Sequence, residues 1–117
     1  MALLMVSPFT LMADEVDSLQ QMYDAAFLEM YEDVGNLDKT FRFAELAAQV
    51  GDFEGAVGAL ERMLIIDPDL PQVRMQLGML YFQMESYPMA YAYLDAVRKH
   101  EDVPAEARQQ AEELIAQ

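Results

Sequence analysis

Two stretches decide the fold when one is set above the other: LDKTFRFAELAAQVGDFEGAVGALERMLIIDPDL, residues 37–70, and PQVRMQLGMLYFQMESYPMAYAYLDAVRKHEDVP, residues 71–104. Each is 34 residues long, a period at which helix-turn-helix units stack into solenoids. Phe43-Ala44 stands over Leu77-Gly78, Ala47 over Tyr81, Phe53 over Tyr87, Ala56 over Ala90 and Leu60 over Leu94. The matched residue types have physical reasons. Ala44 and Gly78 lack bulk where the two helices of a hairpin must approach, and Ala56 and Ala90 do the same from the second helix. Phe53 and Tyr87 open that second helix and wedge into the junction between units.

Outward from this pair, the pattern stays helical. Val16, Leu19, Tyr23, Ala26, Phe27 and Met30 recur at three- and four-residue steps, which marks one apolar stripe. The spacing predicts a helix with Asp14 as N-cap, its first-turn acids suiting the positive end of the helix dipole, and Gly35-Asn36 closing it. A second helix is expected over 38–50, stopped by Gly51, and a third over 53–66, capped by Asp52 and ended by Asp67-Pro68. Pro71, Pro88 (after Ser86) and Pro104 mark three further starts, since a first-turn proline forfeits no helical hydrogen bond. No alternating strand pattern occurs. The expected fold is all-α, a short helix-turn-helix solenoid of about six helices in antiparallel pairs. Its divisions are a hydrophobic leader or tail (1–13), an acidic amphipathic helix (14–36), two units (37–70 and 71–103) and a C-terminal capping helix (104–117). In the last, Ala107, Ala111, Leu114 and Ile115 are expected inward, with Glu106, Arg108, Gln109 and Glu112 in water.

These matched positions resemble the tetratricopeptide repeat family. Its signature reads here as Phe43-Ala44, Ala47, Gly51-Asp52-Phe53, Ala56 and Asp67-Pro68. The first unit departs only at Ala47, where an aromatic is usual. The second departs at Glu85-Ser86, where Gly-Asp is expected, and its Pro104 comes two residues late. The resemblance implies a protein-interaction scaffold whose groove is lined by the first helix of each unit. Carried over residue by residue, the groove positions are Asp38, Phe41, Arg42, Glu45, Ala48 and Gln49, then Gln72, Met75, Gln76, Met79, Phe82 and Gln83. Relatives that clamp a C-terminal carboxylate of chaperones use Lys and Asn where this chain has Phe41 and Glu45, so that activity is not implied. Phe41, Met75, Met79 and Phe82 make the expected groove partly apolar, fit for an extended peptide or an amphipathic helix of a partner protein. The alternative is that Met75 and Met79, spaced i, i+4, are core, covered by the first helix or the N-terminal tail.

Charge and composition narrow the function further. The chain has 117 residues, 21 acidic and 7 basic side chains and a formal charge of −14, enough length for one domain with a real core. A 54% hydrophobic content excludes general disorder, and the absence of cysteine excludes thiol chemistry and disulfides. The acidity argues against nucleic acid and against direct binding to anionic lipid, except through residues 1–13. It is also local: residues 14–38 hold eight acids and no base. No cofactor, metal or catalytic motif is legible. The single histidine, His100, follows Arg98 and Lys99 at a helix C-terminus, where a cation suits the dipole. Asp67-Pro68-Asp69 and Glu101-Asp102 read as turn residues. No enzyme is expected.

The uncharged stretch 2–13, ALLMVSPFTLMA, is too short to span a bilayer, which takes about 20 residues. It reads as the h-region of a secretory signal cut after Ala13, although no basic residue precedes it and Leu11 is a poor match to the small residue wanted there. The other reading is a hydrophobic tail packed on the domain or on another chain. A leader, an acidic helix and two repeats together resemble the N-terminal part of bacterial envelope proteins such as surface lipoprotein assembly modifiers, where periplasmic repeats precede a β-barrel. That resemblance implies a periplasmic location, the alternative being cytoplasmic. The second functional reading is a structural part in an envelope assembly, with contacts through the N-terminal tail and the convex face.

Overall fold

The computed structural model describes residues 8–117, with side chains from residue 14 onward, so the leader, its cut after Ala13 and the tail reading lie outside the described side chains. The helices are α1 (Pro8–Glu32), α2 (Leu37–Val50), α3 (Phe53–Ile66), α4 (Pro71–Gln83), α5 (Tyr87–Lys99) and α6 (Ala105–Ile115), with no strand among the described residues. The fold is all-α, in antiparallel hairpins: α2 packs on α3 and α4 on α5, α1 packs on α2, and α6 packs on α5 and α4. The stack measures 62 × 37 × 25 Å and its radius of gyration is 17.3 Å. A compact chain of this length would have about 13 Å, so the molecule is an elongated solenoid.

Local chemistry sets the boundaries. Asn36 closes α1 but also caps α2: its Oδ1 accepts the Lys39 N–H at 3.1 Å. Gly51 ends α2 at φ 88°, a left-handed conformation that glycine adopts without steric cost. Asp52 then caps α3 by accepting the Gly55 N–H at 3.0 Å. The second hairpin turns the same way without glycine. Glu85 holds φ 59°, and the Ser86 N–H reaches the Tyr81 carbonyl at 2.9 Å, as the Asp52 N–H reaches Ala47 at 2.8 Å. The departure at Glu85-Ser86 thus leaves the turn intact, with strain in place of glycine. Ser86 contributes no side-chain cap.

Two expectations for the ends need correction. Asp14 is not an N-cap, because the chain is already helical at Pro8. The acids at 14, 15 and 17 ride exposed on the helix. Arg108 does not face open water: its guanidinium folds back to donate to the His100 carbonyl at 3.1 Å, closing the end of α5.

Burial divides between two cores. The larger gathers residues of α1 to α4, among them Ala26, Phe43, Leu60 and Leu77; the smaller gathers Met75, Leu94, Val97, Val103 and Ala111 from α4 to α6. Helix α4 serves both, giving Val73, Leu77 and Leu80 to the first and Met75 to the second. Gly78 allows its hairpin to close: a Cβ there would lie 2.6 Å from Cδ2 of the buried Leu94. Two tyrosines staple successive units through carboxylates. Tyr23 donates to Asp52 and Tyr81 to Glu61, both at 2.7 Å.

Candidate binding groove

The first helices of the hairpins, α2 and α4, meet along a seam where Phe41, Glu45 and Ala48 line a small cleft with Gln76. On α2 the exposed residues beside it are Asp38, Arg42, Glu45 and Gln49. Their spacing of i, i+4, i+7 and i+11 makes one stripe. Adding 34 to each number gives Gln72, Gln76, Met79 and Gln83, the outward stripe of α4, of which Gln72 and Gln83 are exposed and Gln76 and Met79 half-buried. Adding 34 again gives Glu106, Gln110 and Glu113 on α6, all exposed. So α6, which contacts α4, extends the same face by a third row.

Several expected groove residues sit elsewhere. Met75 is only 8% exposed and packs with Leu94, Val97, Val103 and Ala111, so it is core, closed over by α5 and α6. Its edge reaches the floor of a cavity of about 350 Å3 between Pro71, Gln72, Pro104 and Ala107. Phe82 turns to the other flank of α4, edge-on to Tyr87 with ring centres 5.6 Å apart. Met79 packs partly on the second core. Phe41, the counterpart of Met75 one unit earlier, is half-buried and lines a cavity of about 360 Å3 with Asp38, Leu70 and Gln72. Asp38, Arg42, Glu45, Gln49, Gln72, Gln76, Met79 and Gln83 therefore share one face, with Phe41 and Ala48 at its seam.

The face keeps Met79 in its second row and Phe41 and Ala48 at its seam, and is otherwise amide-rich and acidic. Along the three rows stand Gln49, Gln72, Gln76, Gln83 and Gln110, with Asp38, Glu45, Glu106 and Glu113 against the single cation Arg42. Each amide carries both donors and an acceptor, the complement of a peptide backbone. The row on α6 was missed because that helix read as a cap with water-facing polar residues; the 34-residue period carried one step further would have found it.

The remaining polar groups have structural tasks. The Asp102 N–H donates to His100 Nδ1 at 3.2 Å, so Nε2 carries the hydrogen given to Asp69 Oδ1 at 2.7 Å. His100 thereby ties the α3–α4 loop to the α5–α6 loop. The Tyr81 hydroxyl is pushed up to about 12, first by burial and then by its hydrogen bond to Glu61. The Asp52 hydrogen bond is the main cause that raises Tyr23 above its ordinary value. Asp95 is held below the usual carboxylate range, chiefly by Lys99 at 2.8 Å and also by Arg98, with desolvation opposing both. Among the described residues no three His, Asp or Glu side chains gather as a metal site, and no helix is long and apolar enough to cross a membrane.

Comparison with known proteins agrees with this architecture. No curated protein matches the chain. The sequence profile of the tetratricopeptide repeat family matches residues 47–117, which spans α3 to α6 with the end of α2. With more than half of the chain matched and six helices in the expected order among the described residues, the chain belongs to the tetratricopeptide repeat family, whose members are protein-interaction scaffolds.

Proposed function

We propose that the chain binds an extended, basic segment of a partner protein along the α2–α4–α6 face. The observation that carries this reading is the three-row stripe at 34-residue spacing: amides at 49, 72, 76, 83 and 110, with four carboxylates and one arginine between them. Glutamine side chains can pair with peptide N–H and C=O groups whatever the bound sequence, and the carboxylates favour Lys or Arg in it. The two cavities at the N-terminal ends of α2, α4 and α6 are large enough to take single side chains of such a segment. Affinity would come mainly from main-chain contacts and charge, and would fall as salt screens the acidic rows.

The test is selection of 12-residue peptides from a random library on the full chain, followed by titration against groove variants. Selected peptides should be enriched in Lys and Arg. Binding should weaken at least tenfold in the double variant Gln76→Ala, Gln83→Ala, with thermal unfolding unchanged. Peptides that bind the double variant as tightly as the parent chain would overturn the reading.

A further inference from the structure

Away from the groove, the C-terminal turns of α1 and α3 leave a cleft of about 580 Å3, lined by Phe27, Met30, Tyr31, Val34, Ile65 and Ile66 with Arg62 at its side. Five of those apolar residues are exposed, Ile65 at 81% and Tyr31 at 69%. Phe27, on the stripe expected to face inward, sets one edge against the buried Phe43 of α2 with ring centres 5.8 Å apart, yet stays 43% exposed. Its other side stacks on Tyr31, with ring centres 6.2 Å apart. Contiguous apolar surface of this kind marks an interaction site more often than a solvated face.

The solenoid does not require this surface. Ala26, Leu60 and Leu94 are buried, 34 residues apart, and fix the register of α1, α3 and α5. In that register Phe27 and Tyr31 correspond to Glu61 and Ile65, and then to Asp95 and Lys99, which pair at 2.8 Å. On the last hairpin the outer positions thus carry a self-satisfied ion pair, as a solvated helix face would. On α1 they carry two aromatic rings, both exposed, and on α3 the exposed Ile65 beside Glu61, which accepts from Tyr81.

Charge around the cleft states what would cover it. Glu32 and Asp33 follow Tyr31, Asp67 follows Ile66, and Asp24 lies one turn before Phe27. Lys39 pairs with Asp33 at 3.3 Å, and Arg62, on the wall of the cleft, keeps its charge with only the Met30 sulfur beside it at 3.6 Å; that leaves Asp24, Glu32 and Asp67 against one cation. An apolar floor with a carboxylate rim complements a hydrophobic face flanked by positive charge. From Phe27 to Tyr31 the cleft follows about 6 Å of α1, one helical turn, and continues past its end to Val34, room for successive apolar side chains on one face of an inserted helix. We propose that this cleft is a second docking surface, which takes an amphipathic helix of a partner protein with lysine or arginine along both edges of its apolar face. It stands independently of the groove.

The probe is a synthetic helical peptide with leucines at i, i+3, i+4 and i+7 flanked by lysines, titrated into the full chain by fluorescence anisotropy. A twin with glutamates in place of the lysines is the control. The lysine peptide should bind at least tenfold tighter than its twin, and the difference should shrink in high salt. Tyr31→Asp and Ile65→Asp should each weaken it at least tenfold; both positions are exposed, so the thermal melt should not move. Gln76→Ala, in the groove, should leave this binding unchanged. Equal affinity for the two peptides, no binding of either, or loss of binding in Gln76→Ala alone would each overturn the proposal. So would a concentration-dependent dimer dispersed by Ile65→Asp, which would make a second copy of the chain the occupant.

Discussion

The two central hairpins share a backbone path and solve it with different chemistry. In the first, Gly51 takes the left-handed turn, Asp52 caps the next helix, and Ala44 spaces the pair. In the second, Glu85 is held at φ 59°, Ser86 offers no side-chain cap, and Gly78 lets Leu94 come close enough to exclude a Cβ. The first hairpin is fixed chiefly by polar contacts at its turn, the second by close packing at its middle. A repeat therefore tolerates loss of a signature residue at one point when another part of the same unit holds the geometry.

The largest break in this comparison should come from Asp52→Ala. It removes a helix cap and leaves the Tyr23 hydroxyl without its carboxylate, together about 2–3 kcal/mol. Ser86→Ala, at the matching position, should cost under about 0.5 kcal/mol in chemical denaturation, because no cap bond is lost there. Next is Gly78→Ala. The added methyl must displace Leu94 in a closed core, and overpacking outweighs the better helix propensity, for a net loss of about 1–2 kcal/mol. Glu85→Gly should act in the opposite direction and stabilise by about 1 kcal/mol, since it relieves a left-handed residue with a side chain. A calorimetric melt that moves down instead would mean that the Glu85 side chain contributes more than its strain costs.

The smallest effect concerns pH. Tyr81 keeps its proton up to about 12 in the folded chain against an ordinary value of 10, so the unfolded state loses that proton first. Its contribution to stability is complete below pH 10 and declines as pH rises through 12. Tyr81→Phe should flatten the fall in melting temperature over that window, leaving stability at pH 7 lower by about 1 kcal/mol for the lost hydrogen bond.

Helix starts and stops were legible wherever a residue has one strong local role: Gly51, Asp52, Pro71 and Pro104 mark boundaries that the structure keeps within a residue. Asp14 misled because an acid before an apolar stripe resembles a cap, while acids also ride comfortably on an exposed helix. The exposed stripe of Asp38, Arg42, Glu45 and Gln49 was legible because only one flank of α2 is free. It was less legible on α4, where neighbours bury both flanks. There Met75 and Phe82 look from the sequence as available as Gln76, and which flank α6 covers is a tertiary fact that the spacing of one helix does not contain. Phe27 was legible by half: its periodicity is inward and one edge meets Phe43 of α2, but the rest of the ring stays open.

The double burial of α4 has a dynamic consequence. The smaller core, with five buried residues, is held between α4 and the α5–α6 pair, while the larger can persist without α5 and α6. Repeat arrays open locally in units defined by such interfaces. Exchange of backbone amides with deuterium should therefore begin in α6, proceed to α5, and reach α4 only when the whole chain opens. A partner lying across α2, α4 and α6 would slow the first of these openings most. The amides of α6 would then report occupancy of the groove even where they make no contact with the ligand.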